Sequence, residues 1–172
     1  MKHLDLFSGY GGFSIASGDC GITTIGFSEI DKSAISVLKY QFKDVFNYGD
    51  IALINPDTLP DFDFMTFGAP CQGYSVAGNR KGMDDPRSQL IFNVFDILKI
   101  KQPKYFIFEN VAGLLSIEKG EVFKDILKNF CDCGYAVDFD VLNAKDFGVP
   151  QNRQRVFVVG VRLDLLDEEE IF

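Results

Sequence analysis

Short apolar segments alternate with amphipathic helical patterns along the chain, and this alternation restricts the fold more than any other feature. The clearest apolar segments are HLDLF, TIGFSE, FDFMTFG, KYFIFENV and VFVVGVR. Apolar segments that do not alternate with polar residues are typical of parallel strands covered by helices on both faces. The sequence therefore predicts an α/β fold with a doubly wound, mostly parallel sheet. No clear helix separates YAVDFDVLNA from VFVVGVR, so the last strand is expected to pair antiparallel at or near the sheet edge.

One domain accounts for most of the chain. Its 172 residues, 47% of them hydrophobic, are enough for one sizeable core. Residues 1–163 are predicted to form this domain, and residues 164–172, with the sequence DLLDEEEIF, an acidic C-terminal tail. The net charge of -8 argues against a protein that coats nucleic acid nonspecifically, although a local basic surface stays open. Neither a membrane span nor a secretion signal is indicated, so a cytoplasmic location is expected.

The four cysteines and the single histidine exclude several kinds of chemistry. The cysteines lack the density of a disulfide scaffold and the paired C-x-x-C units of a zinc site, so we expect reduced thiols and no metal. His3 begins the first predicted strand, at the end of the sheet opposite the strand-end loops. A Cys–His hydrolase and a centre with several histidine ligands are therefore both disfavoured.

Glycine and acidic residues follow the first three predicted strands. Gly9, Gly11 and Gly12 in DLFSGYGGF suit a tight turn that approaches a ligand. Glu29, twenty residues after Gly9, ends the second strand, where a carboxylate is suited to accept both ribose hydroxyls of an adenosine. Asp50, at the end of the third, is suited to accept from the adenine amine. The G-x-G-x-x-G pattern lacks its third glycine, so a nicotinamide cofactor stays open but fits less well.

A cysteine in the stretch FGAPCQGYS follows the fourth predicted strand. Cys71 lies on a loop flanked by glycines and is a candidate nucleophile, provided that a neighbour lowers the pKa of its thiol. Its candidate partners are Glu109, at the end of YFIFENV, and Arg153 and Arg155 in QNRQRVF. Taken singly, Glu109 is also suited to a cap and the arginines to surface charge.

Four motifs occur in a particular order: DLFSGYGG, PCQ, ENV and QNRQR. In this order, from Asp5 to about Arg162, the chain resembles the C5-cytosine-specific DNA methyltransferases. The resemblance implies a Rossmann-like fold of the S-adenosylmethionine-dependent methyltransferase type. It also implies methyl transfer from S-adenosyl-L-methionine to C5 of cytosine in double-stranded DNA, as in the restriction-modification systems of prokaryotes and phages.

The resemblance assigns roles to individual residues. It implies that the thiolate of Cys71 adds to C6 of a flipped-out cytosine while Glu109 hydrogen-bonds or protonates N3. Arg155 would hold the base at O2, and Arg153 would support the same pocket. Glu29 would bind the ribose, with Phe7 and Ile30 against the adenine. The full set of implied cofactor-binding residues is Phe7, Gly9, Gly11, Gly12, Glu29, Ile30, Asp50, Ile51 and Pro70.

The segment GYSVAGNRKGMDDPRS is expected to close over the DNA. Flipping a nucleotide out of the duplex costs a few kcal/mol, which contacts in the pocket must offset. Glycines in the segment allow hinge motion, and its polar and basic side chains are suited to contact phosphates. The expected DNA-binding residues are Gln72, Ser75, Arg80, Lys81 and Arg87. A flexible surface loop is the alternative.

The chain departs from the family pattern after QNRQRVFVVGVR. Typical members continue into a target-recognition region and a late motif whose helix packs beside the cofactor loop, whereas this sequence stops at Phe172. We therefore expect no target-recognition domain, a cofactor pocket that lacks one wall, and little activity alone. A cloned fragment, a truncated gene product and the larger subunit of a split enzyme, completed by a second chain, all stay open.

Two other functions share these motifs. A transfer RNA cytosine-C5 methyltransferase uses the same catalytic plan, and a catalytically inert module would keep the cofactor fold. Methyltransferases that act on amino groups are disfavoured, because their N/D-P-P-Y/F strand end is GAPCQ in this sequence.

Overall fold

Seven strands form one sheet in the computed structural model, which describes residues 1–70 and 86–166. The strands are β1 (Lys2–Leu6), β2 (Thr23–Ser28), β3 (Phe46–Asn47), β4 (Phe64–Phe67), β5 (Tyr105–Val111), β6 (Tyr135–Asn143) and β7 (Gln154–Arg162). The α-helices are α1 (Gly12–Asp19), α2 (Lys32–Gln41), α3 (Pro86–Lys101) and α4 (Glu121–Asp132). The 3-10 helices are Ile51–Leu53, Pro56–Thr58, Ala112–Gly120, Ala144–Phe147 and Leu163–Leu165. A non-helical kink at Ile117, Glu118 and Lys119 interrupts the third of them.

The strand order is β3-β2-β1-β4-β5-β7-β6. The first five strands in this order run parallel, and β7 is antiparallel to both of its neighbours, β5 and β6. The predicted mostly parallel sheet and antiparallel last strand are confirmed. The strand β7 lies one position inside the edge, because β6 forms the edge itself.

The helices cover both faces of the sheet. The chain moves in one direction from β1 through β2 to β3, and in the opposite direction from β4 to β5. Because such crossovers are right-handed, α1 and α2 lie on one face, whereas α3 lies on the other. The order reverses beside β1 and β4, and ligands bind outside the carboxyl ends of the strands at such a point.

The main core lies between the sheet and helices α3 and α4, which cover the same face of the sheet. Its centre is a group of phenylalanines: the ring of Phe106 lies 4.6 Å from that of Phe130 and 5.7 Å from that of Phe67, measured between ring centroids. Helix α4 contributes four buried side chains to this core, Val122, Phe123, Ile126 and Phe130. Their spacing is that of one face of a helix, so burial of this face fixes α4 against the sheet.

The third strand ends at Asn47, whereas the sequence predicted its end at Asp50. Only Phe46 and Asn47 pair with β2, and Asp50 follows three residues later as the N-cap of the 3-10 helix Ile51–Leu53. Its side chain accepts a hydrogen bond from Ala52 N at 3.0 Å. Asp50 nevertheless lies at the same edge of the sheet as the carboxyl ends of β1 and β2, because it lines one cavity with Phe7 and Glu29.

None of the helices in the described parts of the chain combines the length and the apolar character that a membrane span requires.

Candidate active site

A charged pair joins the ends of β5 and β7. The antiparallel register places Arg155 two residue pairs beyond the position opposite Glu109, and Arg155 Nε lies 2.9 Å from Glu109 Oε1. The two side chains are 21% and 24% exposed, so the pair lies at the protein surface but is partly shielded from water. A Cβ at Gly68 would lie 3.3 Å from Glu109 Oε2. The glycine therefore lets this carboxylate lie against the end of β4.

A cleft of about 330 Å³ opens beside this pair. It is lined by Gly68, Ala69, Pro70, Glu109, Asn110, Val111, Ile117, Arg153 and Arg155. Three predicted catalytic residues and Pro70, predicted to contact the cofactor, thus share one cavity. Cys71 follows Pro70 directly in the chain but lies outside the described residues.

Asn110 was part of the ENV motif but received no role from the sequence. Its Nδ2 donates a hydrogen bond to Ala69 O at 2.8 Å, and its Oδ1 accepts from Val111 N at 3.0 Å. Both Asn110 and Ala69 are buried. The Asn110 side chain therefore fixes the backbone two residues before Cys71 to the end of β5.

The segment that carries Arg153 is held by Asn143, at the end of β6. Asn143 Oδ1 accepts from Arg153 N at 3.0 Å, and Asn143 Nδ2 donates to Asn152 Oδ1 at 2.8 Å. These bonds fix the backbone, whereas the Arg153 side chain is exposed. Arg153 lines both the cleft and an adjoining cavity of about 290 Å³ whose wall includes Phe147 and Phe157.

A second cavity, of about 170 Å³, lies at the ends of β1 and β2. Six of its lining residues were predicted to contact the cofactor: Phe7, Glu29, Ile30, Asp50, Ile51 and Pro70. The sequence did not single out the other three, Ser28, Gly49 and Leu90. Pro70 lines both this cavity and the cleft that contains Glu109, so the cleft and the second cavity meet at the residue before Cys71.

Glu29 holds the glycine turn as well as lining this cavity. Its Oε2 accepts a hydrogen bond from Gly9 N at 2.7 Å, and its Oε1 accepts from Ile30 N and Asp31 N, each at 2.8 Å. A carboxylate has about four acceptor sites, so these three bonds leave capacity for a ligand hydroxyl. Glu29 thus ties the turn after β1 to the segment after β2.

The turn contains three residues in the left-handed region: Phe7 and Gly9, each with φ of 53°, and Gly11 with φ of 83°. The glycines serve different purposes. A Cβ at Gly11 would meet Phe42 Cε2 at 2.9 Å and Leu38 Cδ2 at 3.0 Å, so this position must be small to pack against α2. A Cβ at Gly9 or Gly12 would enter open space. Of the three glycines, only Gly9 and Gly12 therefore border open space in which a ligand could approach the turn.

The cavity has the chemistry that S-adenosyl-L-methionine requires. Glu29 offers acceptors suited to ribose hydroxyls, Asp50 offers one suited to an exocyclic amine, and Phe7 and Ile30 offer apolar surface. Open space beside Gly9 and Gly12 leaves the turn accessible to the amino acid part. These residues fit the cofactor.

The expected DNA-binding residues lie in a part of the chain that mostly falls outside the structural description. Gln72, Ser75, Arg80 and Lys81 are outside the described residues. Arg87 belongs to the first turn of α3, but its side chain is also outside them. Within residues 1–70 and 86–166, no three His, Cys, Asp or Glu side chains are grouped as metal ligands would be.

The sheet order, the glycine turn and the strand-end carboxylates define the S-adenosylmethionine-dependent methyltransferase fold. The model of the C-5 cytosine-specific DNA methylases matches residues 1–171, so the chain belongs to this family. The orphan methyltransferase M.Rho11sI of Bacillus phage rho11s is 44% identical over 174 residues, which cover 99% of this chain and 35% of the relative. The type II methyltransferase M.NgoBI of Neisseria gonorrhoeae is 43% identical over 159 residues, 92% of this chain and 50% of the relative. The chain thus spans at most half the length of these relatives.

Solved structures agree with this assignment. A prophage-encoded protein of E. coli superposes with a TM-score of 0.81 at 28% identity, over 98% of this chain and 49% of that one. A mutant of Spodoptera frugiperda DNMT2 superposes with a TM-score of 0.76 at 26% identity, over 97% of this chain and 51% of that one.

Proposed function

We propose that the chain is the catalytic part of a DNA (cytosine-5-)-methyltransferase that uses S-adenosyl-L-methionine and double-stranded DNA. The observation that supports this most strongly is the position of Pro70, which lines both the cleft of Glu109 and the cavity of Glu29. A nucleophile at the next residue, Cys71, would lie between a base in the cleft and a methyl donor in the cavity. Methyl transfer needs both reactants within reach of one another.

In this proposal the cleft activates cytosine. The Cys71 thiolate donates its electron pair to C6, and the C5–C6 π electrons become available at C5 while Glu109 hydrogen-bonds or protonates N3. Arg155 orients the Glu109 carboxylate through the 2.9 Å contact and places its guanidinium at the cleft, where O2 of the base would lie. Arg153 adds positive charge to the same wall. C5 would then take the methyl group as its bond to the donor sulfur breaks, which leaves S-adenosyl-L-homocysteine. Loss of the C5 proton to water would let the Cys71 sulfur leave as thiolate, and return of the N3 proton to Glu109 would restore the aromatic ring.

The second cavity binds the methyl donor. S-adenosyl-L-methionine supplies an electrophilic methyl group when bound. Glu29 binds the ribose hydroxyls, Asp50 accepts from the adenine amine, and Phe7 and Ile30 contact the adenine. Ile51 and Pro70 complete the wall of the cavity, and Gly9, Gly11 and Gly12 shape the turn beside the amino acid part. Carboxylates with defined backbone donors, as at Glu29, keep their position when the ligand arrives.

On the DNA side, Gln72, Ser75, Arg80, Lys81 and Arg87 are proposed to contact the duplex around the flipped cytosine. Phosphate contacts by such residues fix the register of the duplex, whereas base contacts specify sequence. Specificity would need a target-recognition region, from a further segment of the same protein or a second chain. The relatives' greater length supports this. A cytoplasmic, DNA-associated location belongs to the same proposal.

A methyl-transfer assay with duplex DNA and transfer RNA tests this function. The chain is assayed alone and fused to the C-terminal part of the phage rho11s relative, with labelled methyl donor. We expect the fusion to label DNA, and Cys71→Ser and Glu109→Gln to lower labelling at least about a hundredfold. Cys131→Ser is the matched control, because Cys131 is an exposed thiol at the end of α4.

Two results would contradict this function. Labelling of transfer RNA alone would contradict the DNA assignment. A fusion that binds the cofactor but labels neither nucleic acid would contradict the enzymatic assignment and favour an inert module.

A further inference from the structure

A buried polar cluster lies between β1, β2, β4 and α1, apart from both cavities. It consists of His3 and Asp5 from β1, Thr24 from β2, Thr66 from β4 and Ser14 from α1. All five side chains are buried, and His3, Asp5 and Thr66 are 0% exposed. Burial of so many polar groups is costly unless each is hydrogen-bonded, so this arrangement needs a physical reason.

The hydrogen bonds of the cluster run in one direction. Thr66 Oγ1 donates to Asp5 Oδ1 at 2.8 Å, and Ser14 Oγ donates to Asp5 Oδ2 at 2.7 Å. A hydroxyl has one proton, so Thr66 accepts from His3 Nε2, 2.8 Å away. His3 Nδ1 then accepts from the Thr24 hydroxyl at 3.0 Å. This assigns a neutral histidine protonated at Nε2 and an ionised Asp5 at the end of the chain of bonds.

Asp5 also anchors the cofactor turn. Ser8 Oγ donates to Asp5 O at 2.6 Å, and Gly11 N donates to Ser8 O at 2.9 Å. The carboxylate holds Ser14, in the first turn of the helix that follows the glycines. Through Thr66 it holds β4, the strand that leads to Pro70 and Cys71. One side chain therefore joins the elements that border both cavities.

We propose that Asp5 is a positioning residue for the cofactor turn: its ionised carboxylate, bound by Ser14 and Thr66, holds the start of α1 against β4. This inference rests on the proposed function, because the cavity it supports is the proposed site for S-adenosyl-L-methionine. The residue acts through the turn and does not itself contact the ligand.

The two charge states of Asp5 support the turn differently. The carboxylate accepts both hydroxyl bonds, and hydrogen bonds to an ionised group are about twice as strong as neutral ones. A protonated Asp5 must donate its own proton to Ser14 or Thr66, and that hydroxyl then has to reverse its bond. Reversal at Thr66 would also force His3 to exchange its protonated nitrogen. Protonation therefore weakens or reverses one of the two connections.

The titration falls in an accessible range. Burial raises the pKa of Asp5 to about 7, repulsion from Glu29 acts in the same direction, and the Ser14 and Thr66 hydroxyls oppose the shift. Burial lowers the pKa of His3, which faces Asp5 through Thr66, to about 4. The only histidine of the chain therefore stays neutral while Asp5 titrates. A transition near neutral pH at the turn would report on Asp5.

The first test needs no cofactor. Amide chemical shifts of Gly9, Gly11 and Ser14 are followed by NMR between about pH 5 and pH 9, a range that brackets the expected midpoint. We expect a transition with a midpoint near 7 that Asp5→Asn abolishes and that Ser14→Ala moves upward by about one pH unit. Thr66→Ser keeps the hydroxyl and should keep the transition. Leu4→Val, on the other face of β1, is the matched control and should leave the midpoint unchanged.

The second test is calorimetric titration of the fusion protein with S-adenosyl-L-methionine above and below the midpoint. We expect binding to strengthen about tenfold as Asp5 ionises, and Asp5→Asn to remove this pH dependence. An unchanged amide transition in Asp5→Asn, or equal pH dependence in the two proteins, would overturn the inference. If the fusion protein binds no cofactor at either pH, the proposed function fails instead, and the amide transition still decides the role of Asp5.

Discussion

Gly160→Ala tests the packing that positions β7. Gly160 lies directly opposite Phe106 in the pairing of β5 with β7. A Cβ at this position would lie 2.0 Å from Phe106 Cε1, 2.3 Å from Cζ and 2.5 Å from Cδ1. Normal contacts between carbon atoms are about 3.5–4.0 Å, so the ring would have to move by more than about 1 Å.

The ring of Phe106 has little room for such a movement. Its centroid lies 4.6 Å from that of Phe130 and 5.1 Å from that of Tyr135, and the side chain is 0% exposed. Overpacking a core costs about 1–3 kcal/mol, and loss of a buried phenylalanine ring costs about 3–5 kcal/mol. Since the ring can neither stay nor move freely, we expect Gly160→Ala to lower the free energy of unfolding by about 3 kcal/mol.

Chemical denaturation followed by circular dichroism measures this loss. Gly18→Ala is the control, because a Cβ there meets nothing within 4 Å and the position is helical. That substitution should raise the free energy of unfolding by up to about 1 kcal/mol. Combining Gly160→Ala with Phe106→Leu should cost less than the two single losses added together. A loss below about 0.5 kcal/mol for Gly160→Ala, or additive losses, would show that the Phe106 ring does not restrict the side chain at position 160.

Three further predictions concern the site and its support. Glu29→Gln replaces one of the two acceptor oxygens that serve Gly9, Ile30 and Asp31, so calorimetry should show cofactor binding weakened about 10–100-fold. The exposed control Glu121→Gln should change the affinity less than about twofold, and an equally small change in Glu29→Gln would contradict the prediction. Asn110→Ala removes the hydrogen bond that holds the backbone at Ala69, so methyl transfer by the fusion protein should slow at least about tenfold while its cofactor affinity stays unchanged. An equal loss of cofactor affinity would show that this hydrogen bond does not act specifically on the Cys71 loop. Burial lowers the pKa of His3 from 6.5 to about 4, so neutral His3 contributes stability above pH 6.5 that is lost as the pH falls through 4. In denaturation curves, His3→Gln should therefore reduce the acid-induced loss of unfolding free energy by up to about 3 kcal/mol. An unchanged loss would contradict this prediction.

The local sequence was sufficient to predict the elements of the sheet and the strand ends that carry polar residues. Apolar segments without alternation identified the buried strands, and their spacing required crossovers that leave Glu29, Asp50 and Glu109 at the same edge. This much follows because a doubly wound sheet permits few arrangements. The pairing of β7 between β5 and β6 was predicted only in direction, since pairing partners depend on contacts distant in sequence.

The supporting contacts were not predictable in the same way. Nothing local indicates that Glu29 accepts three backbone donors, that Asn110 binds Ala69, or that Asp5 is buried beside Thr66. Each of these bonds joins segments that meet only after the sheet has formed. Gly11 illustrates the same limit: its position in a glycine turn suggested ligand approach, whereas its missing Cβ serves packing against Leu38 and Phe42. Roles assigned by motif were thus incomplete where one residue serves both ligand and fold.

In the proposed mechanism, Cys71 acts on a base held beside Glu109 and Arg155, with the methyl donor on the other side of Pro70. Duplex DNA containing 5-fluorocytosine tests it most directly, because fluorine at C5 blocks the final elimination and traps the sulfur on the base. With methyl donor and the fusion protein, mass spectrometry should find one DNA adduct per chain on the peptide that contains Cys71, and none in Cys71→Ser. An adduct on another residue, or a full yield of adduct in Cys71→Ser, would contradict the account.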